Sequence, residues 1–146
     1  VFHGRAWYLI AHSSAHGEIR TFKLARIRKL TVTDRTFTCP GDVDLSEYFG
    51  DAWSMIPEGK LYHVHLHFEP KVAGNVAEVR WHHSQRVEWN ADGSIEFNAT
   101  VDGLGEIGWW VLGYGDQVEV VAPKRLRQRV ARTARAVAAK YRRERS

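Results

Sequence analysis

Three alternating histidines are the first side chains whose spacing could support chemistry. His63, His65 and His67 lie in the stretch LYHVHLHF, residues 61–68, and a further histidine pair follows at 82–83. Alternate residues of a β-strand share one face, so the three imidazoles point the same way, and two such histidines can chelate zinc. Neither an H-E-x-x-H helix nor a C-x-x-C pair accompanies them. The alternative is a half-exposed sheet face with hydrogen-bonded imidazoles, and we predict no metal site and no cofactor.

Motifs for nucleophilic catalysis and for phosphate cradling are absent from the sequence. No G-x-S-x-G elbow occurs, and the only cysteine, Cys39, stands beside Pro40 without a patterned histidine partner. Gly103-Leu104-Gly105 lacks the fuller pattern of a P-loop or a dinucleotide fingerprint, and its expected role is flexibility before a helix. A single cysteine also excludes an internal disulfide framework and a four-cysteine zinc site. We therefore predict that the chain is not an enzyme.

Ligand binding has better support, because aromatic and basic residues fall on adjacent predicted strands near the N-terminus. Aromatic rings can stack on bases, and the guanidinium fork matches phosphate oxygens. We expect Trp7, Leu9 and Ile27 to form core, and we favour a binding role for Arg20 and Arg26 over simple solvation. The full candidate set is Tyr8, His12, Arg20, Phe22, Lys23, Arg26 and Arg28.

The net charge of +4 over 146 residues is unevenly distributed. Residues 1–30 carry +5, residues 31–123 carry −10 and residues 124–146 carry +9. Basic ends around an acidic middle indicate separate roles, and a basic end can attract phosphates. For the C-terminal run we favour a solvated helix face or docking on an acidic partner surface. No apolar run approaches the roughly 20 residues that span a bilayer, and Val1–Trp7 carry no signal-peptide pattern, so we expect a cytoplasmic protein without a membrane partner.

Alternation and turn residues predict the elements that carry these side chains. Arg5–His12 and Glu18–Leu24 are predicted strands around a turn at Ser13–Gly17, and Ala25–Thr33 is expected to continue as extended chain after a bend. Asp42–Phe49 begins with an acid-rich potential cap and predicts a short helix. The first part of the chain therefore indicates a meander of short strands, as in a small barrel.

The second half alternates between strand and helix patterns. The predicted order is β-α-β-β-α-β followed by a terminal helix, which is the ferredoxin-like arrangement. The terminal helix carries an apolar stripe, which would bury against a sheet if the basic helix packs on an acidic partner surface as part of an interaction module. The stripe is Leu126, Val130, Ala134, Val137 and Tyr141. The predicted elements are strands at 61–68, 85–89, 94–101 and 117–121, a hairpin turn at 90–93, and helices at 70–81, at 105–113 and from Pro123 onward.

At Trp7-Tyr8-Leu9 the sequence resembles the WYL domain, which is named for that tripeptide, followed by its C-terminal extension, the WCX domain. The resemblance covers nearly the whole chain. The stretches that carry it are GRAWYLIAH at 4–12, RTFKLARI at 20–27, DVDLSEYF at 42–49, the alternating strand at 61–68, DGSIEF at 92–97, WVLGYG at 110–115 and VEVVAP at 118–123.

The resemblance implies a bacterial transcription regulator of the helix-turn-helix type and an α+β fold class. Residues 1–39 are expected to form an Sm-like or SH3-like β-barrel, incomplete at its N-terminus, which senses a nucleic acid or a nucleotide. Residues 40–59 are expected as a linker with a short helix, and residues 60–146 as the ferredoxin-like WCX domain. Such proteins form homodimers through their C-terminal parts and read promoter DNA through an N-terminal domain, which we expect to be absent from this chain.

By match to the family motif, the resemblance implies that Tyr8, Arg20 and Arg26 face the ligand. It adds three further candidates, which are His12, Phe22 and Lys23. One departure is that Ala25 stands where the motif usually has an acid. The predicted function is ligand sensing and dimerisation, with two alternatives: a pure dimerisation or protein-interaction module, and a metal-binding protein built on the histidine strand.

Overall fold

The computed structural model describes residues 1–3, 6–38, 41 and 44–142 of the 146-residue chain. The chain divides into two compact units, Val1–Gly41 and Asp42–Ser146, and each contains its own sheet. The positions that figure in the sequence predictions but lie outside the described residues are Gly4, Arg5, Cys39, Pro40, Asp42, Val43 and residues 143–146.

The first unit is a three-stranded antiparallel sheet in the order β1-β2-β3. The central strand β2 (Ala6–Ser13) is rich in aromatic and apolar residues, and it pairs with β1 (Phe2–His3) on one side and with β3 (Glu18–Lys23) on the other. Gly17, at φ 69°, closes the turn between β2 and β3 in a conformation that side chains disfavour. A 3-10 turn at Leu24–Arg26 then makes the expected bend, so extended chain starts two residues later than predicted.

The core role expected for three apolar residues of this unit is wrong. Trp7, Leu9 and Ile27 are 60%, 49% and 47% exposed. Alternation along a strand separates its two faces but does not say which face is covered. Residues 1–3, 6–38 and 41 form three strands and one 3-10 turn, which provide no second layer over these side chains.

The second unit is a four-stranded antiparallel sheet, with helices, in the order β5-β6-β4-β7. The predicted order of strands and helices is confirmed, and the chain is of the α+β class. The elements are α1 (Leu45–Phe49), β4 (Leu61–Phe68), α2 (Pro70–Ala77), β5 (Arg86–Trp89), β6 (Ile95–Asp102), α3 (Gly105–Leu112), β7 (Val118–Ala122) and α4 (Lys124–Arg142).

The core of the second unit lies between the helices and one face of the sheet. Along β4 the side chains of Val64, Leu66 and Phe68 are fully buried, while the alternating histidines point to the opposite face. Burying an apolar side chain of this size stabilises the fold by about 1.5–3 kcal/mol. The other core residues are Ala73, Val76, Ile95, Phe97, Ala99, Val101, Leu104, Ile107, Val111, Val120 and Leu126.

Two aspartates stabilise local structure at positions that the sequence indicates, one as a helix cap and one in a hairpin turn. Asp44 is the N-cap of α1, since its Oδ1 accepts a hydrogen bond from the backbone nitrogen of Ser46 at 2.8 Å. Asp92 lies in the predicted hairpin turn between β5 and β6, where its Oδ1 accepts from Ser94 N at 2.9 Å and the following Gly93 adopts φ 86°. Hydrogen bonds from Ser46 and Ser94, respectively, lower the pKa of the two carboxyls.

The helix predicted at 70–81 ends at Ala77 instead. The side chain of Gln85 explains the early end, because its Oε1 accepts from Trp81 N at 2.6 Å and from His82 N at 3.0 Å. Its Nε2 also donates to Val79 O at 2.9 Å. One amide therefore holds the chain in a loop over the positions that were predicted to continue the helix.

The apolar stripe of α4 is buried only near the start of the helix. Leu126 is fully buried and Val130 is half-buried, but Val137 and Tyr141 are 49% and 72% exposed. The helix packs against β7 and α3, and every residue from Ala134 to Arg142 is exposed. Among the described residues, no helix is long and apolar enough to cross a membrane.

Three carboxylates tie residues 51–60 to the end of β6 and the start of α3. Glu106 accepts hydrogen bonds from the backbone nitrogens of residues 54–56, and Glu58 accepts from those of residues 104–105. Asp102 Oδ1 accepts from the backbone nitrogens of Glu58 and Lys60, at 3.1 and 2.8 Å. The segment therefore closes over the helix N-terminus and satisfies backbone donors that α3 cannot satisfy internally.

Candidate nucleic-acid interface

Three of the six ligand-facing residues that the family resemblance implies share one face of the first sheet, which we call the Tyr8 face. Tyr8 lies directly opposite Lys23 in the β2–β3 register, and His12 lies four residues further along β2 on the same side. Tyr8 and Lys23 are half-buried, whereas His12 is exposed. A phenol, an ammonium group and an imidazole can all donate hydrogen bonds, so this face could accept an anion.

The opposite face, which we call the Trp7 face, joins exposed aromatic rings to an arginine. Phe22 lies opposite Leu9, and Arg20 lies two residues before Phe22 on the same side of β3. Phe2 pairs with Trp7 across β1 and β2, and their ring centroids are 5.3 Å apart at an interplanar angle of 57°. Phe2 and Trp7 are each 60% exposed and Phe22 is 37% exposed. Adjacent apolar rings in solvent are a common mark of a binding surface.

Arg20 has an acidic neighbour that a ligand could displace. Its Nε donates to Glu18 Oε1 at 2.8 Å, and its Nη2 donates to the same oxygen at 2.5 Å. The two side chains are 47% and 58% exposed, and a pair this exposed contributes at most about 1 kcal/mol. Exchanging the carboxylate for a phosphate therefore costs little.

Arg26 does not share a strand face with Arg20. The even spacing between the two arginines places them on one side only if the strand continues, and the 3-10 turn at Leu24–Arg26 interrupts it. Arg26 is exposed at the end of that turn. The structure therefore brings Arg20 and Phe22 together on one face, and Tyr8 and Lys23 together on the other.

Phe2 and Trp7 were not among the predicted site residues. Phe2 precedes the predicted strands, and Trp7 was assigned to the core. The available signal was the number of large apolar residues in so short a unit. Three strands without a second layer cannot cover Phe2, Trp7, Leu9 and Phe22 together.

The histidine strand faces away from the core of the second unit. His65 Nε2 lies 2.6 Å from Glu96 Oε2, and His67 Nδ1 lies 2.8 Å from Glu96 Oε1. Because a carboxylate only accepts hydrogen bonds, both ring nitrogens act as donors. The hydrogen bond that His67 donates to Glu96 raises the pKa of His67 above its ordinary value. Burial raises the pKa of Glu96, but hydrogen bonds from His67, Asn90 and His65 outweigh burial and lower it.

This geometry engages three histidine side chains in contacts with carboxylates. His65 and His67 are directed at a shared carboxylate, and the nearby His83 instead places its Nε2 2.8 Å from Asp51 Oδ1. Within the part of the chain that the structure describes, no group of three or more His, Cys, Asp or Glu side chains is placed to hold a metal ion. The alternative interpretation, a half-exposed face with hydrogen-bonded imidazoles, is confirmed for His65 and His67.

The two units together define an α+β protein whose parts match two domain families in the order that the sequence resemblance implies. Residues 60–138 match the WCX domain, and residues 1–32 match the WYL domain. The chain belongs to the WCX domain family and begins with part of a WYL domain.

One solved structure gives a further comparison. The chain is similar to the proteasome accessory factor B/C (PafBC) of Arthrobacter aurescens, with 21% sequence identity and a TM-score of 0.47. The match covers 94% of this chain and 21% of that chain, so the chain spans about a fifth of the length of that protein. No curated protein sequence matches the chain.

Proposed function

We propose that this chain is the ligand-sensing and dimerisation region of a bacterial transcription regulator, with no catalytic activity. Membership of the WCX family and the preceding WYL segment support this assignment. In this proposal the first unit is an incomplete Sm-like or SH3-like barrel, and the second is a ferredoxin-like domain. The sheet order β5-β6-β4-β7 supports the ferredoxin-like assignment. Promoter DNA is then read by a helix-turn-helix domain of the longer protein, in the cytoplasm.

The proposed ligand of the first unit is a nucleic acid or a nucleotide, and the Trp7 face is the observation that carries this proposal. Trp7 and Phe22 can stack on bases, at about 1–3 kcal/mol per base, while Arg20 pairs with a phosphate. Arg26 adds a second exposed guanidinium at the end of the 3-10 turn that follows β3. The ligand-binding roles predicted for Tyr8, His12 and Lys23 are a separate proposal, because these residues lie on the Tyr8 face.

Ligand binding acts on a dimer in this proposal. A ligand that binds one arrangement of the two copies more tightly shifts the population toward that arrangement, and its differential affinity limits the size of the shift. The positions of the DNA-reading domains then follow the arrangement of the dimer. The proposed sensor therefore needs no chemical step.

The test is the binding of a labelled single-stranded oligonucleotide to the full chain, measured by fluorescence anisotropy at several salt concentrations. Trp7→Leu keeps an apolar side chain but removes the stacking ring, and we expect affinity to fall about tenfold or more, or at least about 1.4 kcal/mol. Arg20→Gln should reduce the salt slope by about 0.7, the value for one phosphate of a single strand. Arg86→Gln, on the second unit, is the matched control. Unchanged binding by both first-unit variants would contradict the proposal.

A pure dimerisation module is the second candidate, and the exposed later turns of α4 favour it. Val137 and Tyr141 present apolar surface that the described part of the chain does not cover. A partner helix or sheet could bury this surface. Val137→Ser combined with Tyr141→Ser should then dissociate the dimer in light scattering, whereas binding of the single-stranded oligonucleotide by the first unit should not change.

A further inference from the structure

Helix α4 carries a dense positive charge with little compensation. Its 19 residues include eight Lys or Arg and no acid. Arg127 is held within the unit, since its Nη1 donates to Glu119 Oε1 at 2.6 Å and to Val120 O at 2.8 Å. The other seven cations are exposed, and none forms an ion pair with a carboxylate of the described residues. Such a concentration of like charge is costly unless an anionic partner neutralises it.

These cations concentrate on one side of the helix. With about 3.6 residues per turn, the side opposite the buried Leu126 and the half-buried Val130 carries five basic side chains, together with Gln128 and two alanines. A shallow groove lies on this side, between Lys124 and Arg135. At roughly 1.5 Å per residue, the helix is about 28 Å long. We call this surface the basic stripe, and its cations are Lys124, Arg125, Arg132, Arg135 and Arg142.

The acidic surface of a second copy is a poor match for the basic stripe. Most carboxylates between residues 44 and 119 already accept hydrogen bonds within their own unit, so a cation of a second copy would compete with these contacts for the carboxylate oxygens. The remaining four, Glu47, Glu69, Glu78 and Glu88, are scattered over α1, the two ends of α2, and β5. The engaged carboxylates are those of Asp44, Asp51, Glu58, Asp92, Glu96, Asp102, Glu106, Asp116 and Glu119.

We propose that the basic stripe binds the phosphate backbone of duplex DNA without reading its bases. Duplex DNA presents a negative charge about every 1.7 Å along its axis, and arginine forks match phosphate oxygens. The stripe contains no aromatic residue, so it lacks the stacking surface that single-stranded partners use. Backbone contacts of this kind position a protein on a duplex but carry no sequence information directly. This proposal does not depend on the Trp7 face, which lies in the other unit.

The test compares two triple variants of the full chain that remove the same charge. Arg125→Gln with Arg132→Gln and Arg135→Gln removes cations of the stripe, and glutamine preserves helix propensity. The control is Lys71→Gln with Arg80→Gln and Arg86→Gln, elsewhere on the second unit. Binding of a labelled mixed-sequence DNA duplex is measured by fluorescence anisotropy between about 50 and 200 mM salt. We expect the stripe variant to reduce the salt slope by about 2.7, or about 0.9 per lost contact, and the control to leave it unchanged.

Four results would overturn the proposal. Equal losses in the two triple variants would mean that net charge alone attracts the duplex. An unchanged salt slope in the stripe variant, with its helix content confirmed by circular dichroism, would remove the stripe from the interface. Loss of the dimer in light scattering with unchanged duplex binding would assign the stripe to a second copy. Retained duplex binding with loss of binding to anionic lipid vesicles would assign it to a membrane surface. A single-stranded oligonucleotide tests the Trp7 face in the same assay, so the two proposals can fail separately.

Discussion

Removing the carboxylate of Glu106 should detach residues 54–56 from the start of α3. Glu106 Oε2 lies 2.9 Å from Ser54 N, 3.0 Å from Met55 N and 3.1 Å from Ile56 N, and Oε1 lies 3.1 Å from Met55 N. Met55 is only 7% exposed, so water cannot readily take the place of the lost acceptor. A buried donor left without an acceptor costs about 1–3 kcal/mol.

The expected loss of stability follows from the number of hydrogen bonds that Glu106 accepts and from the fact that they share one carboxylate. Hydrogen bonds to a charged group contribute about 1.5–3 kcal/mol each, but three bonds to one carboxylate are not additive. We expect Glu106→Ala to lower the free energy of unfolding by about 2–4 kcal/mol. Glu106→Gln keeps one carbonyl acceptor but turns an NH2 group toward a backbone N–H, and we expect a loss of about 1–2 kcal/mol.

Urea unfolding followed by tryptophan fluorescence measures this loss of stability. Trp53 directly precedes residues 54–56, Trp110 lies in α3, and their ring centroids are 4.7 Å apart, so the fluorescence reports on the contact between the two segments. Glu78→Ala, at an exposed end of α2, is the matched control, with an expected change within about 0.5 kcal/mol. Hydrogen exchange of the amides of residues 54–56 gives an independent readout and should accelerate in Glu106→Ala. A Glu106→Ala protein with wild-type stability and protection would refute the reasoning.

Two further predictions concern the second unit. The raised pKa of His67 means that its contact with Glu96 contributes stability below the ordinary value of 6.5, and this contribution is lost as pH rises through the folded-state pKa. The melting temperature should therefore fall as the pH rises through the folded-state pKa of His67, and this fall should be smaller in Glu96→Gln. If Glu96→Gln shows the same pH dependence of the melting temperature as the wild type, another group is responsible for it. Leu126→Ala should cost about 2–5 kcal/mol in chemical denaturation, and Val137→Ala less than about 0.5 kcal/mol, because only Leu126 is buried. Equal losses of stability in these two variants would contradict the observation that α4 is buried only near its start.

Local patterns predicted most of the second unit because its determinants are local. The alternation in residues 61–68 separates buried Val64 from the outward histidines, and Gly93 completes the hairpin after β5. The end of α2 was placed too late, because the side chain of Gln85 determines it from a position beyond the helix pattern. Tertiary contacts of this kind leave no periodic signal in the sequence.

The candidate site was harder to predict because it depends on how β2 and β3 pair and on which face of the sheet other elements cover. Arg20 and Phe22 were identified from residue type, but their separation from Tyr8 depends on the β2–β3 pairing. The exposure of Trp7 depends on the absence of a covering layer over the described first unit, which no local pattern encodes. The contacts of Glu106 span about 50 residues of chain, so spacing could not predict them either.

The way α4 is attached also has a mechanical consequence. The helix is held through Leu126, and every residue from Ala134 to Arg142 is exposed. The distance from Leu126 to Arg142 along the helix is about 24 Å, so a tilt of about 10° at the docked end moves the far end by about 4 Å. A tilt caused by side-chain adjustments at β7 and α3 would therefore displace the far end of the helix much more than the docked end.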